Sequence, residues 1–194
     1  MKNKQKPIIV GVSGAKGSFS EEAGHYYCQK YNIKNHKLKY LISVERVFKN
    51  LQKHKIDLGV FPIENSNGGI VYEAVYAMAK YNFKIERFFE IDVRHNLLVK
   101  PDTKKSDVRK IASHDQALKQ CRMYLKRKWP SIELIEWPDT AKAAKDLSQG
   151  KLDSSTAVIA PRQCANLYNL KILEEGIQDL KINFTTFLAV KRFI

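Results

Sequence analysis

Phe61-Pro-Ile-Glu-Asn-Ser-Asn-Gly-Gly-Ile70 is the stretch on which the reading of this chain turns. An apolar run, Asp57-Leu-Gly-Val-Phe-Pro-Ile63, leads into it and has the length of a buried strand. The run ends in Glu64, Asn65 and Ser66, three side chains that make strong hydrogen bonds. Gly68 and Gly69 follow, and then Ile70, Val71, Ala74, Val75 and Met78 at helical spacing. Polar residues at a strand's carboxyl end, just before a helix, are where open α/β sheets bind ligands. The plain alternative is a strand-to-helix turn with caps.

Upstream, the same arrangement occurs twice. Ile8-Ile-Val-Gly-Val12 reads as a buried strand and runs into Ser13-Gly-Ala-Lys-Gly-Ser-Phe-Ser-Glu-Glu22. Ser18 with Glu21 fits a capping box, and Phe19, Ala23, Tyr26, Tyr27 and Tyr31 continue at helical spacing. The loop is neither G-x-G-x-x-G nor a P-loop, which argues against a nucleotide. Lys37-Leu-Lys-Tyr-Leu-Ile42 is a second strand, followed by Ser43 as N-cap and Val44, Val47, Phe48 and Leu51 on one helix face. The first third therefore reads β-α-β-α-β-α, which implies a parallel sheet with crossover helices.

Downstream, Phe83 to Val99 is long for one strand and reads as a strand pair or an extended segment passing between lobes. A second β/α set follows. Val108–Ala112 leads into Ser113-His-Asp-Gln116 and a helix carrying Ala117, Leu118, Cys121, Tyr124 and Leu125. Ile132–Trp137 and Thr156–Ala160 are further strands; between them a helix starts at Pro138-Asp-Thr140 and closes at Gly150. The end, Asn183–Val190, reads as a strand with polar residues at its start. The expected architecture is two α/β lobes: lobe 1 about 1–85 plus 177–194, lobe 2 about 95–175. Ligands in such folds lie in the cleft between lobes, where the clusters 13–20, 64–67, 113–116 and 183–186 would meet.

Composition narrows the classes of function. A length of 194 residues, 44% apolar content and 10% aromatics suit a soluble globular protein. No run approaches the roughly 20 apolar residues of a membrane span, and the basic start at Met1 lacks a secretory apolar segment. Cys28, Cys121 and Cys164 form neither a disulfide framework nor a zinc motif, so a cytoplasmic location is expected. The net charge of +14 comes from 34 Lys and Arg against 20 Asp and Glu, scattered over most helices. With no zinc-finger or RNP signature, it reads as a lysine-rich solvated surface and not as a nucleic-acid site.

The polar clusters, in this order, resemble prephenate dehydratase. The motifs are Gly14-Ala-Lys-Gly-Ser-Phe-Ser-Glu21, Pro62-Ile-Glu-Asn-Ser66, His95-Asn-Leu-Leu98, Ser113-His-Asp-Gln-Ala-Leu118, Glu175-Gly-Ile-Gln-Asp179 and Asn183-Phe-Thr-Thr-Phe187. The resemblance implies a two-lobed fold like the type II periplasmic binding proteins. It implies conversion of prephenate to phenylpyruvate, carbon dioxide and water in phenylalanine synthesis, and a dimer or higher oligomer. The family's last motif usually reads Thr-Arg-Phe; here Thr186 stands where the arginine would be. Many members continue into a phenylalanine-sensing ACT domain or carry a chorismate mutase; neither is seen here, so feedback through an ACT domain is not expected.

The chemistry asks for groups that hold two carboxylates and a donor to the departing ring hydroxyl. Aromatisation drives the reaction, so neither metal nor other cofactor is expected. On the resemblance, Thr185 is the donor to the leaving hydroxyl. Glu64 is a second candidate acid if burial raises it, with a helix-start carboxylate as the bland alternative. Ser18, Ser20, Asn65, Ser66, His114, Gln116 and Asn183 are the expected substrate contacts; Ser18 and Ser20 could equally be helix caps, and His114 a structural histidine. Three other functions share the pattern: a non-catalytic sensor of a small carboxylate or aromatic amino acid, an arogenate dehydratase, and a prephenate decarboxylase.

Overall fold

The computed structural model describes residues 6–193; Met1–Gln5, most of the basic start, and Ile194 lie outside it. The chain divides into two compact units. One holds the residues up to Asp92 together with those from Phe184 on, and the other is Val93–Asn183.

The first unit begins β1 (Ile8–Val12), α1 (Phe19–Lys30), β2 (His36–Tyr40), α2 (Val44–Gln52) and β3 (Leu58–Asn65). It continues through β4 (Gly69–Ile70), α3 (Tyr72–Met78) and β5 (Phe83–Asp92), and ends with β11 (Phe184–Arg192). The sheet order is β2-β1-β3-β11-β5, with β4 paired to β3. β1 lies parallel to β2 and β3, as the β-α-β-α-β pattern predicts, and β11 runs antiparallel between β3 and β5. The stripe of α2 explains its place: Val44, Val47, Phe48 and Leu51 are all at most 2% exposed and pack with Phe61, Leu188 and Val190. Each such burial contributes about 1.5–3 kcal/mol. Ser43 caps this helix, its hydroxyl accepting from the Arg46 N–H at 3.2 Å.

The opening stretch departs from its expected form. β3 does not stop at Ile63 but runs through Glu64 and Asn65, because β11 and β4 pair with those residues. The segment Gly69–Ile70 is a short strand, and the helix begins only at Tyr72, capped by Val71 without a side-chain hydrogen bond. Glu64–Ser66 thus do not stand at a helix N-terminus.

The second unit holds β6 (Asn96–Val99), β7 (Lys110–Ser113), α4 (Asp115–Gln120), α5 (Arg122–Lys128) and β8 (Glu133–Glu136). α6 (Thr140–Ser148), β9 (Thr156–Ala160), α7 (Gln163–Tyr168) and β10 (Lys171–Glu174) complete it. Its sheet order is β10-β6-β9-β7-β8. Strand alternation divides its apolar side chains cleanly. Leu97, Val99, Ile111, Ala157 and Ile159 enter one cluster with α4 and α5, while Leu98, Ala112, Val158 and Ala160 enter another with α6 and α7. Both faces of β9 are covered, so all five of its residues are buried.

Residues 83–99 form strands in two different sheets, β5 and β6, which is the expected segment passing from one lobe to the other. Three other features depart from the sequence expectation. The segment 177–183 belongs to the second unit, where Ile177 is 3% exposed in its core. β10, unpredicted, pairs antiparallel with β6. The predicted single helix over 117–125 is broken at Cys121. Asp179 caps the second piece, accepting the N–H groups of Met123 and Tyr124 at 2.7 Å each.

A buried ion cluster ties α6 to its surroundings. The Asp146 side chain, 2% exposed, accepts from Lys142, from Lys151 at 3.0 Å and from the Trp137 ring N–H at 3.1 Å. Burial works to raise its carboxyl, but these three donors override it and hold it down at about 2. Asp146→Asn should cost about 2 kcal/mol, because the half-buried Trp137 N–H loses a charged acceptor and both ion pairs are lost, while the exposed lysine heads rehydrate. The folded value lies below the ordinary 3.8, so the contribution is complete above that pH and fades as pH falls through about 2. Thermal melts over a pH series should show the gap between parent and variant widest near neutrality and closed at the acid end.

Candidate active site

The first sheet gathers its predicted residues at one edge. β1 and β3 are parallel and β11 antiparallel, so the loop after Val12, the end of β3 and the start of β11 all lie at that edge. There the Asn65 side-chain amide donates to Thr185 Oγ1 at 2.8 Å and to the Phe184 carbonyl at 3.2 Å. Its Oδ1 accepts the N–H groups of Asn67 and Gly68 at 3.0 and 2.7 Å, which builds the turn. Ser66 closes the ladder: its N–H donates to the Phe184 carbonyl at 2.8 Å and its hydroxyl accepts the Phe184 N–H at 3.0 Å. Thr185 is 8% exposed. Since its oxygen accepts from Asn65, its own O–H is left to donate elsewhere.

Glu64 is not part of this group. It lies opposite Thr186, and Asn65 lies opposite Thr185. Strand alternation therefore puts Glu64 on the other face of the sheet, where it is exposed. The apolar enclosure that the acid role needed is absent around it. Thr186 shares that face: Glu64 and Glu90 lie opposite it on either side, and its hydroxyl donates to Glu90 Oε1 at 3.4 Å.

Ser18 ends the loop before α1, and Ser20 is the second residue of that helix. Ser18, 5% exposed, caps α1 by accepting the Glu21 N–H at 3.3 Å and donates to the Ala15 carbonyl at 2.7 Å. Ser20 is half-buried, 3.4 Å from the Ser13 hydroxyl. Beside them, burial and then the charge of Asp92 push the Glu22 carboxyl up.

The second unit places His114 and Gln116 at the carboxyl end of β7. His114 caps α4, its Nδ1 accepting the Gln116 N–H at 3.3 Å, which leaves Nε2 as the protonated nitrogen of the neutral ring. The Gln116 side chain is exposed in the first turn. Asn183 is fully buried; its amide donates to the Val93 carbonyl at 3.1 Å and to Gln120 Oε1 at 3.0 Å. These bonds give Asn183 a fold-holding task. Gln120 also accepts from His95 Nε2 at 2.8 Å. Burial holds His95 below the ordinary histidine range, against an opposing contribution from that bond, so it stays neutral. Sequence reading missed Gln120; its one faint sign is a spacing of i+4 from Gln116. The motif Glu175–Asp179 also gains a purpose: Ile177 N–H donates to the His95 carbonyl at 2.9 Å and Gln178 Oε1 accepts the His95 N–H at 3.0 Å.

A family model described as prephenate dehydratase matches residues 10–193. A curated relative named prephenate dehydratase, from Methanocaldococcus jannaschii, is 35% identical over 176 residues, covering 90% of this chain and 61% of its own. The crystal structure of prephenate dehydratase from Arthrobacter aurescens in complex with L-Phe superposes with a TM-score of 0.84 at 25% identity, over 96% of this chain and 60% of that one. A nutrient binding protein from Burkholderia cenocepacia, 15% identical with a TM-score of 0.52 over 95% of this chain and 84% of that one, shares the fold alone. The fold is thus the two-lobed α/β architecture of the type II periplasmic binding proteins. The chain spans about half the length of the first curated relatives that it matches. No helix among the described residues is long and apolar enough to cross a membrane.

Proposed function

The chain belongs to the prephenate dehydratase family, and from that premise we propose that it converts prephenate to phenylpyruvate. The bond from the ring to its carboxylate breaks, leaving carbon dioxide, and the electron pair enters the ring. The carbon–oxygen bond on the opposite ring carbon breaks, and the hydroxyl leaves as water with one proton drawn from solvent.

The observation that carries the reading is the Asn65–Thr185 hydrogen bond of 2.8 Å. By occupying the threonine oxygen as an acceptor, it aims the O–H outward, the geometry wanted of a donor to a departing hydroxyl. A threonine hydroxyl is a weak acid, so its part is to hydrogen-bond the leaving oxygen as charge develops. Asn65 orients it, and Ser66 fixes the strand start that carries it. Ser18, Ser20, His114 and Gln116 are assigned substrate contacts. Glu64 is assigned no proton transfer, because it lies on the other face of its sheet.

Incubation of the purified protein with prephenate at neutral pH, with phenylpyruvate read by its absorbance in alkali, tests this directly. No product above the uncatalysed rate, with tight binding of an aromatic amino acid by calorimetry, would turn the reading into that of a sensor.

Thr186 bears on activity through its position. An arginine there would lie level with Glu64 and Glu90, on the face away from Thr185. Its gain would be cross-strand ion pairing of about 0.2–1 kcal/mol. Thr186→Arg should raise the melting temperature slightly and change kcat/KM by less than about threefold. A gain of tenfold or more in kcat/KM would mean that an arginine here reaches the substrate.

A further inference from the structure

The loop between β1 and α1 is shaped by one buried carboxylate. Glu21 is 7% exposed. Its Oε2 accepts the Gly17 N–H at 2.6 Å, and its Oε1 accepts the Tyr40 hydroxyl. Gly17 has φ 90°, a conformation that favours glycine, so the pinned N–H fixes a backbone turn that few residues could make. The turn is closed tightly on itself: a Cβ added at Gly14 would lie 2.1 Å from Ser18 Oγ. Tyr40 is anchored independently of the loop. It pairs with Val12 in β1, and the next N–H, of Leu41, donates to the Val12 carbonyl at 2.9 Å. The loop starts at the following residue, Ser13.

We propose that Tyr40 is a positioning residue for the substrate-binding loop, acting through Glu21, and that it sets substrate affinity and not the chemical step. The proposal rests on the reading that Ser18 and Ser20 contact substrate. A carboxylate this buried is stable only with donors on its oxygens. Without the Tyr40 hydroxyl, Glu21 turns toward another donor, the Gly17 N–H is released, and the loop that ends at Ser18 and leads into α1 beside Ser20 gains alternative shapes. Ordering it again on binding weakens affinity. The rest of α1 is held by other contacts: Ala23 and Cys28 are at most 1% exposed in the core. The fold therefore persists.

Tyr40→Phe tests the proposal. The expected result is a KM for prephenate raised about tenfold, the scale of one hydrogen bond to a charged group, with kcat within about twofold. Because Tyr40 acts through Glu21, adding Tyr40→Phe to Glu21→Gln should raise KM no further than Glu21→Gln alone. Hydrogen exchange at the Gly17 amide, read without substrate, should quicken about tenfold in Tyr40→Phe. Unchanged Gly17 exchange would overturn the clamp. Faster exchange with KM unmoved, or additive effects of the two substitutions, would overturn the positioning role. A parent protein without turnover would defeat the proposed function, and Gly17 exchange would still decide the clamp.

Discussion

Thr185→Ala should lower kcat/KM for prephenate by about a hundred- to a thousandfold, the scale seen when one preorganised donor to a developing charge is removed. The methyl group that remains can neither donate to the leaving oxygen nor accept from Asn65. Structural cost is small. Thr185 is 8% exposed at the start of β11, and the Asn65 amide keeps its second acceptor, the Phe184 carbonyl at 3.2 Å. The ladder partners Asn65 and Ile91 are paired through backbone groups that alanine retains. Circular dichroism and the melting temperature should therefore match the parent, while phenylpyruvate formation falls by that factor. Thr185→Ser restores the hydroxyl and should recover most of the activity. A Thr185→Ala protein with the parent's rate would remove this residue from the mechanism.

Asn183→Asp should destabilise the fold by about 3–5 kcal/mol, the range for an uncompensated buried charge. The change is nearly isosteric, so packing is unaltered and the effect is electrostatic. In the parent, the Asn183 amide faces two acceptors, the Val93 carbonyl at 3.1 Å and Gln120 Oε1 at 3.0 Å, at a position with no solvent exposure. A carboxylate there sets like against like at both contacts. Burial raises such a carboxyl, and a proton taken up at lower pH restores one of the two hydrogen bonds. The loss should be full at neutral pH and shrink as pH falls toward about 4, which urea melts across that range will show. Turnover should fall as well, because Thr185 follows two residues later on the segment that Asn183 anchors. A variant as stable as the parent at neutral pH would mean that the amide is not buried as described.

Much of the fold was legible because it is written in local periodicity. The stripe Val44, Val47, Phe48 and Leu51, the run Thr156–Ala160, the caps Ser18 and Ser43 and the helix start at Pro138–Thr140 each state their structure within a few residues, and all are found. The polar clusters were legible too, since strand ends bearing Ser, Asn and Thr stand out from apolar runs. Partnerships were not. Asp179 caps α5 from 55 residues or more away, and Gln120 takes its bonds from His95 and Asn183, 25 and 63 residues distant. No pattern along the chain records a pairing over such distances.

Glu64, Asn65 and Ser66 mark the division most sharply. The sequence by itself determined that a buried strand ends there in hydrogen-bonding side chains. Simple alternation from Pro62 would aim Glu64, and not Asn65, to the face that bears Thr185 and Phe187. Only the tertiary structure decided otherwise. Phe187 lies opposite Pro62 and Thr186 opposite Glu64, so Ile63 is an extra residue, a bulge in β3. One residue of slip exchanges the faces. It brings Asn65 to Thr185 and carries Glu64 away, because the register is set by pairing with a strand about 120 residues downstream, where the chain's own periodicity has no hold.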